Sequence, residues 1–123
     1  MKSRRRQVQS ASKRSDSRRR MATTARLNEL IEEATVDAYG AAEQTTGFFT
    51  MLEDHLALPF ETEVLGVLVT VERIEMTDDE QIVAVCARGR SRQRIPIVDL
   101  PLPAKPPEGS EWIAAYRRWA HVR

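Results

Sequence analysis

At 123 residues, the chain is long enough for one small domain with a core of its own. Its formal net charge of +1 conceals an asymmetry: residues 1–20 hold nine Lys/Arg against one Asp, and the remainder holds ten basic against seventeen acidic residues, a net of −7. The lone cysteine, Cys86, excludes an internal disulfide and a cysteine zinc site, and no apolar run approaches the ~18 residues of a membrane span, so a soluble, cytoplasmic protein with no membrane partner is expected.

The first segment, MKSRRRQVQSASKRSDSRRR, has almost nothing apolar to bury. Residues 1–22 are therefore read as a disordered basic tail, and 23–123 as a single globular domain. The paired arginines invite an export-signal reading, but no apolar stretch follows them. Runs of this kind contact phosphate nonspecifically, so the tail also brings nucleic acid into view.

Thr23 or Thr24 can cap a first helix in which Leu27, Leu30, Ile31, Ala34 and Ala38 recur at helical spacing. A second series, Thr45, Phe48, Phe49, Leu52 and Leu56, keeps the period up to Leu58-Pro59, where the proline ends it. One continuous helix from 25 to 57 would reach roughly 50 Å, too long for a small domain. Gly40 supplies a break, so two helices over about 24–57 are expected, joined tightly at Tyr39-Gly40-Ala41. Glu53 and Asp54 should face outward, with Phe48 or Phe49, Leu52 and Leu56 inward.

From about 60 to 100 the pattern becomes β-branched. ETEVLG, VLVTVERIEM, QIVAVCAR and RQRIPIV are separated by Gly66, TDDE and RGRS and read as four antiparallel strands. So small a sheet must cover its own core or lean on the helices, and a small β-barrel packed on the helical hairpin is expected. A proline-rich connector over 101–109 follows. Ser110 then caps a last helix over about 110–121, whose stripe of Trp112, Ile113, Tyr116 and Trp119 reads as core. The fold class is α+β.

Over residues 21–60 one Arg stands against seven carboxylates: Glu29, Glu32, Glu33, Asp37, Glu43, Glu53 and Asp54. A solvated face usually mixes signs; this one asks for a cation or a basic protein partner. Glu29, Glu33 and Asp37 stack at i, i+4, i+8, and folding at Gly40 brings Asp37 beside Glu43 and puts Glu53 and Asp54 toward Glu29. Hard oxygens suit Ca²⁺ or Mg²⁺ better than zinc or copper. No EF-hand loop is present, and His55, with only His121 for company, makes a poor transition-metal ligand.

VDAYGAAEQTTGF, MLEDHLALPF, EVLGVLVTVERIE and PPEGSEWIAAYRRWA, in this order, resemble the cyanobacterial calcium-binding protein family (CcbP-like) and its uncharacterised bacterial relatives, over about residues 25–121. The resemblance implies an acidic, intracellular calcium binder without enzymatic activity, with Asp37, Glu43, Glu53 and Asp54 in the ligand positions; Glu33, four residues before Asp37, joins the candidate metal set from its helical spacing. Members look more acidic straight after the D-A-Y element, where this chain has Gly40, Ala41 and Ala42. Fewer carboxylates lower the ligand charge that tunes affinity, so binding is expected to be weak.

The alternative is a nucleic-acid-binding or protein-interaction module. Arg88, Arg90, Arg92 and Arg94 alternate in RGRSRQR and would share one face of a hairpin to grip phosphate. The competing expectation is that these arginines pair with Glu61, Glu63, Glu72 and Glu75 on neighbouring strands. No nucleophile–His–acid set and no glycine-rich phosphate loop is evident, so no enzyme is expected.

Overall fold

The computed structural model of the chain describes residues 12–122. Among these residues three α-helices, α1 (Ser12–Thr35), α2 (Ala41–His55) and α3 (Glu111–Val122), accompany four strands: β1 (Phe60–Val64), β2 (Val67–Met76), β3 (Ile82–Arg88) and β4 (Ser91–Pro96). Of the basic segment expected to stay unstructured over 1–22, residues 1–11 lie outside the described residues. The backbone is helical from Ser12 on, rather than after Thr23 or Thr24. Lys, Arg, Met and Ala are good helix formers, and extending an existing helix costs far less than starting one.

The strands form an antiparallel meander in the order β1-β2-β3-β4. This corrects the expected barrel, because the sheet is open, with β1 and β4 at its edges. A closed barrel whose interior side chains just fill needs about eight strands. With four, helices pack against the inner face instead. That face presents Val71, Ile74, Ile82, Ala84 and Cys86 to a core shared with Leu30 and Ala34 of α1, Phe48 and Leu52 of α2, and the aromatic stripe of α3. Phe48 is fully buried and lies 5.5 Å from the Tyr116 ring and 5.1 Å from the Trp119 ring. The stripe is core, as its spacing predicts.

A bulge at Glu72 shifts the β2–β3 register between Val71 and Arg73. It turns Val71 and Ile74 to the same face although they are three positions apart, a pairing that strict alternation would forbid.

The join between α1 and α2 is longer than Tyr39-Gly40-Ala41. α1 stops at Thr35, Asp37 takes a left-handed conformation at φ 63, and Gly40 at φ 103 is the N-cap of α2 rather than the C-cap of α1. Beyond this turn the helices cross very closely. A Cβ at Gly47 would stand 2.0 Å from the Ala34 carbonyl oxygen, so only glycine lets α2 lie against the α1 backbone. The proline-rich connector is tied at two points. Thr62 Oγ1 donates to the Pro101 carbonyl at 2.7 Å, and the Ala57 amide donates to Glu108 at 2.9 Å. Gly109 fits against the His55 carbonyl, where a Cβ would come within 2.1 Å.

Candidate functional site

The carboxylates of the helical hairpin are exposed: Glu29, Glu32, Glu33, Asp37, Glu43, Glu53 and Asp54 all face solvent. The outward orientation of Glu53 and Asp54 follows from the helical period, since Phe48, Leu52 and Leu56 take the buried side. Of the seven, Glu29 alone has an ion pair among the described residues, with Arg26 at 3.6 Å; Arg26 also reaches Glu111 at 3.7 Å.

Glu43 is the third residue of α2 and accepts a hydrogen bond from the Tyr39 amide at 3.4 Å. It thereby ties α2 to the turn that holds Asp37, one residue before the Gly40 amide that a capping-box carboxylate would take. The turn itself is open, with Val36 at 66% and Tyr39 at 84% exposure. Glu33 stands on α1 a turn before Asp37, while Glu53 and Asp54 lie at the opposite end of α2. His55 stacks on Trp112 with ring centroids 5.5 Å apart and 13° between planes, and so seals the end of α2.

A second acidic locus escaped the sequence reading. Asp79 and Glu80 of the β2–β3 turn and Asp99 of the short 3₁₀ turn after β4 (Ile97–Asp99) line a cleft of about 370 Å³, with Thr45, Tyr116 and Trp119 on its walls. TDDE signalled a turn; that the turn opens onto α2 and α3 is a tertiary fact. Trp119 Nε1 donates to Gln44 at 3.1 Å, and Thr77 donates to Asp79. Arg117 of α3 donates to the Ile97 carbonyl at 3.1 Å and also to Leu100. Burial pulls the Arg117 guanidinium down from its ordinary value, partly offset by Asp99.

The four arginines do not share a face, which corrects the alternation argument. Gly89-Arg90 is a two-residue hairpin turn, with Arg88 opposite Ser91 and Ala87 opposite Arg92. Such a turn inverts parity: Arg88 lies on the inner face with Cys86, Arg92 and Arg94 lie on the outer face, and Arg90 sits at the tip. Arg92 makes a two-pronged contact with Glu72 at 2.8 and 3.1 Å, and Arg94 meets Glu75 at 2.8 Å, which Arg73 also reaches at 2.9 Å.

The Arg92 hydrogen bond holds the Glu72 carboxyl below its ordinary value, and those of Arg94 and Arg73 do the same for Glu75. The expected pairing with neighbouring strands therefore forms through Glu72 and Glu75 and not through Glu61 or Glu63. Val85, on the same outer face as Arg92 and Arg94, is only 2% exposed. Two of the four cations offered to phosphate are thus neutralised in place.

A family model described as calcium binding, of the CcbP type, matches residues 28–120. The chain belongs to this calcium-binding family. No curated protein and no solved structure matches the chain. The matched span runs from within α1 to α3 and leaves the basic segment outside.

The family's ligand is Ca²⁺, and the hard carboxylate oxygens of this CcbP-type domain suit it. Among the described residues, however, no group of three or more His, Cys, Asp or Glu side chains is close enough to hold a metal ion. The donors have the right chemistry and are dispersed. No described helix is long and apolar enough to cross a membrane.

Proposed function

We propose that this CcbP-type protein is a non-enzymatic, cytoplasmic, low-affinity calcium binder that uses the acidic surface of its helical hairpin, centred on Asp37 and Glu43 with Glu33 beside them and Glu53 and Asp54 as a remote pair. The observation that carries the reading is electrostatic. The sheet's Glu72 and Glu75 are neutralised by arginines, whereas six of the seven hairpin carboxylates have no ion-pair partner among the described residues. Like charges left together on one element repel, and a divalent cation relieves that repulsion. Exposure of these carboxylates also speaks against acid–base catalysis, which needs an enclosed substrate.

Calcium takes six to eight oxygens. With no three carboxylates converging, side chains would supply a minority of them, and water and main-chain oxygens the rest. A Kd no tighter than about 10⁻⁴ M follows. Titration of the full chain with Ca²⁺, followed by amide NMR shifts, should perturb residues 33–43 first. Asp37→Asn with Glu43→Gln should weaken binding several-fold, and Asp79→Asn with Asp99→Asn should leave it unchanged. The reverse dependence would move the site to the α2–α3 cleft and refute the hairpin assignment.

A further inference from the structure

The helices do not cover the whole inner face of the sheet. At the end where the Leu65-Gly66 and Gly89-Arg90 turns sit side by side, Val64, Val67 and Val69 remain half-buried and, with Ile95, wall a groove of about 340 Å³ over Cys86. That size lies at the lower end of small-molecule sites. The register places Arg88 on this same face, at the groove's rim. Arg88 has no ion pair and no side-chain hydrogen bond among the described residues, and no Asp or Glu lines the groove.

In a domain otherwise rich in carboxylates, this is an apolar slot with one uncommitted guanidinium and no acid to oppose an anion. Leu65, 98% exposed in a left-handed turn conformation at φ 52, extends the apolar surface past the rim.

We infer that this groove binds a small amphiphilic carboxylate, its headgroup on Arg88 and its alkyl chain along Val64, Val67, Val69 and Ile95. The guanidinium fork matches a carboxylate through two parallel N–H···O bonds. A single negative charge suits a groove in which Arg92, the other nearby arginine, is already held by Glu72. A phosphate dianion would call for a second free cation. The site is separate from the acidic hairpin and does not depend on the calcium reading.

The test is amide NMR of the full chain in calcium-free buffer, titrated with octanoate below its micellar range and with octanol and octylamine as charge controls. Octanoate should shift the amides of residues 64–69, 86–88 and 93–95. It should bind at least about tenfold more tightly than octanol, and Arg88→Gln should remove about that factor for octanoate and leave octanol unaffected. Arg88 is exposed, so the variant should fold normally. Equal binding of octanoate and octanol, shifts scattered over the helical layer, or an Arg88→Gln protein that binds octanoate unchanged would each overturn the proposal.

Discussion

Gly47 looks like a flaw in α2, since glycine within a helix costs about 1 kcal/mol relative to alanine. The crossing with α1 reverses that sign. In Gly47→Ala the new methyl would meet the Ala34 carbonyl oxygen, a backbone atom that no rotamer change can move aside. Overpacking of this kind should destabilise the domain by about 2–3 kcal/mol despite the better helix propensity. A urea midpoint unchanged or raised in Gly47→Ala would show that the two helices do not lie this close. In the sequence, TTGFF gives no sign of this, because periodicity reports which face is apolar and not how near the facing backbone comes. Asp37 was legible as one of an acidic set but was expected on the helix with Glu29 and Glu33, and its left-handed conformation beyond the helix end was not legible. A short polar side chain tolerates that region, and Gly40, the obvious candidate for a sharp turn, serves as the cap of the next helix.

Among the elements, the strands were the most legible, since β-branched runs bounded by Gly66, TDDE and RGRS mark them almost to the residue. What misled was continuing parity through Gly89-Arg90. A two-residue turn puts Arg88 and Arg92 on opposite faces, so a basic patch divides into an outer ladder and one inner cation.

The ladder has a measurable consequence. Glu72 and Glu75 titrate lower in the folded chain than their ordinary value of 4.5. Their stabilising contribution is therefore complete above that value and is lost as pH falls through the lower folded values. Urea midpoints measured from pH 6 down to about pH 3 should fall less steeply in Glu72→Gln with Glu75→Gln than in the parent chain. High salt should shrink the difference, because these pairs are exposed. Identical acid limbs would mean that the ladder contributes nothing to folding. Cys86 belongs to the opposite face of the same sheet; burial pushes its thiol up, consistent with a core thiol rather than a reactive one.

At the scale of the whole molecule, charge is sorted by element. On the sheet Arg73, Arg92 and Arg94 neutralise Glu72 and Glu75, the hairpin stays acidic, and the strongly basic residues 1–20 adjoin it in sequence. Composition and order made this division readable, as they did the α+β class and the aromatic core of α3. That the sheet stays open was not readable, because whether a four-stranded sheet curls or is capped depends on where the helices dock. Calcium bound to the acidic hairpin, as proposed, would engage only the folded chain, and a ligand that binds only the folded state stabilises it by mass action. The direct measurement is the melting temperature of the full chain in ~10 mM CaCl₂ against NaCl at matched ionic strength. With a Kd between about 10⁻⁴ and 10⁻³ M the melting temperature should rise by at least about 5 °C, and by less in Asp37→Asn with Glu43→Gln; a melting temperature unmoved by calcium would rule out calcium binding at the hairpin.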